Sequence, residues 1–292
     1  MTTGSREYNC PWCRVCTAIG PDVQACPACG AAVDVRLITD DAGWYELPPI
    51  RDMARLQFGA SHCQIEGTYV PVADFNLAPA DHLYFNHHVL LWKEARTQTQ
   101  RLPLTGWWRR LLAGLPLVML QARGPGRIAF SKDAPGELIA LPLERGASID
   151  VREGMFLVAS GQIHYDWINS DLWYWTSEGT HYPVGRFMDR FTAVEEHGLL
   201  LLHGSGNVFV RRVDARQSLL VKPTALVYKD PQVAMSLCIE HPRGFNNFWR
   251  RRYVWLCLRG TGRVAIQSAV HHWHDPAFPV RGMSAGSRVR DW

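Results

Sequence analysis

Gly198-Leu199-Leu200-Leu201-Leu202-His203-Gly204-Ser205-Gly206-Asn207-Val208-Phe209-Val210 packs an apolar run, a glycine-rich turn and an alternating run into thirteen residues. The same order occurs twice more. Leu117-Val118-Met119-Leu120 precedes Gly124-Pro125-Gly126-Arg127, and Arg127-Ile128-Ala129-Phe130-Ser131 follows it. Val254-Trp255-Leu256-Cys257-Leu258 precedes Gly260-Thr261-Gly262-Arg263, which leads into Arg263-Val264-Ala265-Ile266-Gln267. A strand, a tight glycine turn and a strand of period two predict a β-hairpin at each of the three places.

Working outward, a second element recurs. Residues 78–94, 144–160 and 214–230 align without a gap over 17 positions. Each opens on a polar turn, enters a strand near Leu83, Ile149 or Leu219, turns again and ends in an apolar strand. Ten extra residues separate the middle copy from its glycine turn, and they match a further hairpin around Ala134-Pro135-Gly136-Glu137. Helical periodicity with caps is scarce along the chain. The expectation is an all-β body of about three related units, a β-sandwich or double-stranded β-helix.

Arg110 to Ser131, Gly198 to Val210 and Arg252 to Gln267, with the 17-residue segments between them, resemble the altered inheritance of mitochondria protein 24 family. The resemblance covers about residues 55–270 and rests on the repeated order, since no single motif is specific. It implies a β-fold similar to the tryptophan RNA-binding attenuation protein, homo-oligomers with trimers favoured, and no established catalytic activity. Mitochondrial members are associated with inner-membrane organisation.

The N-terminal region departs from that family. Cys10-Pro11-Trp12-Cys13 and Cys26-Pro27-Ala28-Cys29-Gly30 are two Cys-Pro-x-Cys turns separated by twelve residues. Each turn can aim two sulfurs at one ion, and two turns complete a tetrahedron of thiolates. Cys10, Cys13, Cys26 and Cys29 are therefore predicted to hold one structural Zn2+ in a zinc ribbon, with Cys16 competing through Cys13-Arg14-Val15-Cys16. A thioredoxin-like redox pair fits less well, because no strand–helix pattern surrounds either turn. Four protein thiolates leave no open position for a substrate. About thirty residues bury too little surface to fold unaided, so the metal would supply the folding free energy. The predicted organisation is a zinc ribbon over 1–36, a connector over 37–54, a β-repeat domain over 55–275 and a C-terminal tail over 276–292. In the connector, Trp44, Tyr45 and Leu47 suggest packing on the body.

The bulk composition excludes little. The 292 residues are 47% apolar and 20% charged, with net charge +4, which is ordinary for a soluble globular protein and mild for a polyanion binder. Met1 to Tyr8 lacks the apolar core of a secretion signal, and the run Leu111–Leu120 is about half a membrane span. The expected location is the cytoplasm, without a transmembrane segment. Eight cysteines in such a chain point to metal ligation rather than disulfides.

Other constellations are weaker. His271-His272-Trp273-His274 and His87-His88 lack identifiable carboxylate or cysteine partners. Ser61-His62-Cys63 puts nucleophile and base types on successive strand residues, which face opposite ways. Cys63, Cys238 and Cys257 lie in apolar runs and read as core thiols. The aromatic segment Tyr165–Tyr182, with Trp167, Trp173, Tyr174 and Trp175, reads as a plug over one end of the body rather than a ligand platform. Trp107-Trp108-Arg109-Arg110 and Trp249-Arg250-Arg251-Arg252 combine cations with aromatic faces and form a possible interaction surface, at a subunit interface before nucleic acid. The leading expectation is a non-enzymatic oligomeric β-scaffold or protein-binding module with an unknown protein partner. A nucleic-acid-binding protein is the alternative, and a cupin-like metalloenzyme the third.

Overall fold

The computed structural model describes residues 6–10, 15–19, 25–31, 44–46, 53–102, 119–176, 179–194, 196–240 and 253–269. Among them the chain is all-β, with no α-helix and two short 3-10 turns, His87–Val89 and Pro223–Ala225. A leading group comprises β1 (Arg6–Asn9), β2 (Cys16–Ile19), β3 (Tyr45–Glu46), β4 (Arg55–Phe58) and β5 (Ser61–Glu66). Three units of six strands follow.

The first unit is β6 (Val72–Leu77), β7 (His82–Asn86), β8 (Leu90–Lys93), β9 (Gln98–Arg101), β10 (Met119–Arg123) and β11 (Gly126–Ser131). The second is β12 (Glu137–Leu143), β13 (Ser148–Arg152), β14 (Phe156–Ser160) and β15 (Ile163–Asn169), then an inserted hairpin, β16 (Tyr174–Thr176) and β17 (Gly179–His181), then β18 (Phe187–Ala193) and β19 (Gly198–Gly204). The third is β20 (Val208–Val213), β21 (Leu219–Val221), β22 (Leu226–Lys229), β23 (Ala234–Glu240), β24 (Tyr253–Arg259) and β25 (Gly262–Gln267). One rule governs all three units: the sixth strand lies between the first and third, and the fifth lies between the second and fourth.

Within a unit the two strand trios belong to different sheets. The main sheets run β4-β5-β6-β11-β8, β12-β19-β14-β7-β10-β9, β15-β18-β13-β22-β25-β20-β3 and β21-β24-β23. Three apolar clusters lie between successive sheets. The first holds Phe75, Phe85 and Leu201, the second Phe156, Phe191 and Leu200, the third Met188, Val221 and Leu258. The six-stranded sheet is therefore covered on both faces. That accounts for the four leucines of β19: Leu199 and Leu201 face one cluster, Leu200 and Leu202 the other. A strand buried on both faces has no polar side to display, so its sequence loses the alternation.

The all-β expectation and the threefold repeat agree with this architecture, and the 17-residue segments are its clearest mark. Each contains the second and third strands of a unit. In each, the first carbonyl accepts from the N–H three residues on: Ala78 from Asp81, Glu144 from Ala147, Asp214 from Gln217. In each, the ladder slips at one place, between Leu90 and Trp92, Phe156 and Val158, Leu226 and Tyr228. The last side chain of each segment accepts the N–H of the sixth strand's second residue: Glu94 from Arg127 at 3.2 Å, Ser160 from Leu199 at 3.0 Å, Asp230 from Arg263 at 2.8 Å.

The hairpins at the glycine turns are corrected. β10 and β11 lie in different sheets, as do β24 and β25, and β19 and β20. Each turn is a corner where the chain crosses between layers. The turns also differ in kind: Gly124-Pro125-Gly126 and Gly260-Thr261-Gly262 join fifth to sixth strands, whereas Gly204-Ser205-Gly206 joins the second unit to the third. The supposed hairpin around Ala134-Pro135-Gly136-Glu137 is the matching join of the first unit to the second, and β12 is the second unit's first strand. A hairpin return and a layer crossing look alike in sequence, because alternation reports one buried face without naming the neighbouring strand. Close approach explains the glycine at one corner. A Cβ at Gly124 would lie 2.1 Å from the Ala78 carbonyl oxygen.

Candidate metal centre

β1 and β2 pair antiparallel, with Asn9 opposite Cys16. The chain leaves β1 at Cys10, whose N–H donates to the Val15 carbonyl at 3.1 Å. The second turn is built likewise: Cys26 N–H donates to Ala31 at 2.7 Å, and Gly30 N–H donates back to Cys26 at 2.8 Å. Gly30 has φ +73°, the left-handed conformation that lets the chain leave the turn, and glycine adopts it without strain.

These two turns bring Cys10, Cys26 and Cys29 together, all buried, with the three sulfurs within 4.8 Å of one another. Cys10 Sγ and Cys29 Sγ are 3.7 Å apart. Sulfurs about 2.3 Å from a tetrahedral zinc are separated by about 3.8 Å along an edge, so the spacing fits such an ion. Burial alone would push the Cys26 thiol up. The backbone N–H groups of Cys29 and Ala28, with the neighbouring thiols, outweigh it and hold Cys26 below the ordinary value. Donors aimed at a sulfur favour the thiolate, the form that binds metal. The cluster therefore can hold a metal ion on chemistry and spacing alike.

Cys13 lies outside the described residues. Cys16 is exposed on β2 and is not part of the cluster. The three cysteines pack with Leu56, Phe58 and Ile65 in the first apolar cluster, and Arg55 N–H donates to the Cys29 carbonyl at 2.8 Å. Within 37–54, β3 extends the seven-stranded sheet beside β20, and the Arg211 guanidinium lies 5.7 Å from the Trp44 ring centroid.

The remaining sequence candidates separate. Trp107, Trp108, Arg109, Arg110, Trp249, Arg250, Arg251, Arg252 and the histidines at 271, 272 and 274 lie outside the described residues. His87 and His88 occupy a 3-10 turn with rings 5.7 Å apart, and His88 Nε2 is 3.4 Å from Lys132 Nζ. Ser61 and Cys63 are buried while His62 between them is exposed. Ser61 donates to Asp81 at 2.5 Å and accepts from Ala78 N–H at 2.8 Å, fastening the turn of the first segment. Cys63 and Cys257 are buried, and burial drives the Cys63 thiol well up; Cys238 is only partly buried. The aromatic segment over 165–182 is the end of β15 and the β16–β17 hairpin, with Trp167 against Phe187 at 4.8 Å and Trp173 half exposed.

The pairs that join successive units escape sequence reading. The third strand of a unit pairs with the second strand of the unit before it: β14 with β7, and β22 with β13. Val158 lies opposite Phe85 and Ala159 opposite Tyr84; Tyr228 lies opposite Val151 and Lys229 opposite Asp150. In the gapless alignment these are the same positions, so both joins share one register. The second carries a buried ion cluster: Asp150 accepts from Lys229 Nζ at 2.7 Å and from Arg190 at 2.6 and 3.0 Å. The alignment contained the signal, an acid at 150 and a base at 229, but nothing in it says that different copies pair.

Among the described residues no helix is long and apolar enough to cross a membrane. No curated protein matches the chain. Seven solved chains do. One is a crystal structure of a Streptococcus pyogenes protein, with TM-score 0.54 and 18% identity, covering 72% of this chain and 94% of that one. At that identity the likeness shows the fold alone. The model of the family described as mitochondrial biogenesis AIM24 matches residues 63–269, spanning the three units, their corners and both joins. The chain belongs to that family, the one its repeated segments resemble.

Proposed function

We propose that this protein is a non-enzymatic, homo-oligomeric β-scaffold, stabilised at its N-terminus by one structural Zn2+ bound through Cys10, Cys13, Cys26 and Cys29. The joins carry the scaffold reading: the body is made of units that extend one another edge to edge, twice, in one register. A family described by mitochondrial biogenesis fits a part in building assemblies. The three buried thiols and their spacing support the metal, and Cys13 completes the set in the Cys-Pro-x-Cys pattern. Bound there, zinc would lock the two turns to one another. The residues around it hold the thiolate of Cys26 and fasten the module to β4.

Metal analysis and light scattering test the two halves. One zinc per chain is expected, lost in Cys10→Ser, Cys13→Ser and Cys26→Ser and kept in Cys16→Ser. A Cys16→Ser protein that loses the metal, or a wild-type chain that binds none, ends the ligand assignment. A strictly monomeric wild-type protein ends the scaffold reading.

A further inference from the structure

Buried ionisable groups are ordinarily paired, because an ammonium, carboxyl or phenol shut away from water costs free energy that only a hydrogen bond or an opposite charge recovers. One region of the body departs from this. Tyr165 and Trp167 on β15 share a face of the seven-stranded sheet with Asp189 and Phe191 on β18, since Tyr165 lies opposite Phe191 and Trp167 opposite Asp189. That face meets the six-stranded sheet. The Phe191 ring is 5.4 Å from Tyr165 and 4.7 Å from Phe156, which in turn is 5.8 Å from Tyr84 on β7. Beside them is the turn after β13, where Glu153 lies against Gly185: a Cβ there would be 3.3 Å from Glu153 Oε2.

Three groups here lack the partners that burial demands. The Tyr84 hydroxyl is fully enclosed and bonds to nothing among the described residues. Lys132 follows β11, and among the described residues its ammonium has one neighbour at hydrogen-bond distance, His88 Nε2 at 3.4 Å. An ammonium carries three donors, so two are spare. The Glu153 carboxyl makes no hydrogen bond among the described residues, and the guanidinium of Arg152 next to it donates to the Thr224 carbonyl at 3.0 Å. All three groups feel the charge of Asp189, which accepts from the Tyr165 hydroxyl at 2.7 Å. Burial drives the Lys132 amine down to about 8, with Asp189 opposing it. Burial raises the Glu153 carboxyl and the Tyr84 phenol, and Asp189 adds to both.

These groups are sorted by kind and by depth. The spare donors, the Tyr84 hydroxyl and the Lys132 ammonium, belong to residues only 4% and 7% exposed. The carboxyls of Asp189 and Glu153 are half-buried, as are the rings of Tyr165 and Trp167 beside them. We propose that this is a binding site for a small zwitterion, a free amino acid, whose carboxylate accepts from Lys132 and Tyr84 and whose ammonium faces Asp189 and Glu153. Each end of such a ligand brings the charge that its surroundings lack. An anion alone would meet two carboxyls, and an amine alone would leave the Lys132 ammonium unanswered. Trp167, opposite Asp189, adds an aromatic ring of the kind that favours ammonium groups. The site asks for binding and no chemistry, and it lies within one chain, so it goes beyond the scaffold reading without depending on it.

Titration calorimetry of the full-length chain tests it, with glycine, alanine and γ-aminobutyrate as zwitterionic probes and acetate and methylammonium as their separate halves. At least one zwitterion is expected to bind about tenfold tighter than either half. Tyr84→Phe removes only the enclosed hydroxyl. Its unfolding midpoint should equal or exceed that of wild type, while the affinity for the best zwitterion falls about tenfold. Lys132→Met should abolish binding. Failure of all three zwitterions to bind at up to about 10 mM overturns the assignment. So does binding that Tyr84→Phe leaves unchanged, or acetate that binds as tightly as the best zwitterion. Because Tyr84→Phe keeps the packed ring, its result reads the site even if Lys132→Met fails to fold.

Discussion

The two internal joins have the same backbone and opposite chemistry. Between the first and second units, Phe85, Tyr84, Val158 and Ala159 meet as an apolar seam with no charge in it. Between the second and third, the same positions hold Val151, Asp150, Tyr228 and Lys229, and a carboxylate is buried between Lys229 and Arg190. The difference teaches that the ladder and its slip set the geometry. The side chains need only fill the space and satisfy one another. A buried ion pair is a costly way of doing so, since desolvation offsets most of the attraction, but removing one partner is costlier still.

The comparison breaks first at Asp150. Asp150→Ala leaves the Lys229 ammonium buried without its carboxylate and should cost about 3–5 kcal/mol in urea unfolding. Phe85→Ala in the apolar seam should follow, at about 3 kcal/mol, and added salt should leave that loss unchanged. A loss at Phe85 exceeding that at Asp150 would mean the seams are not equivalent in packing.

The charged side also carries a pH effect. Glu153 follows β13 in the turn of the second segment, and burial, reinforced by Asp189, raises its carboxyl to about 7 from 4.5. The folded chain therefore holds this proton where the unfolded chain has released it. Stability from this group is fully present below about 4.5 and is lost as pH rises through about 7, for a change of roughly 2–3 kcal/mol. Glu153→Gln should flatten the stability profile in that window; an unaltered slope would assign the effect elsewhere. The smallest change is expected from converting one seam into the other. Asp150→Leu with Lys229→Met should lie within about 1 kcal/mol of wild type, since an apolar pair of similar volume replaces a buried ion pair. Arg190, about one-third exposed, can turn to water.

Much of this was legible in the residues. The 17-residue segments mark the second and third strands of every unit because a turn, a slip and a final acceptor recur at fixed offsets, and local backbone geometry is written locally. The paired Cys-Pro-x-Cys turns announce a thiol cluster for the same reason. What misled was the glycine corners. Leu199 to Leu202 followed by Gly204 reads as half a hairpin, yet those leucines face two different apolar layers and the chain then leaves the sheet.

By itself, then, the sequence determined the strand content, the threefold repetition, the position of the cysteine turns and the family. Each depends on short-range spacing, which a linear chain displays directly. Only the tertiary structure decided which strands are neighbours. It turned four supposed hairpins into layer crossings, set Asp150 beside Lys229 across 79 positions, and put β8 and β21 at the edges of their sheets. Pairing between distant strands is settled by the burial of whole faces at once, and no local pattern carries that information.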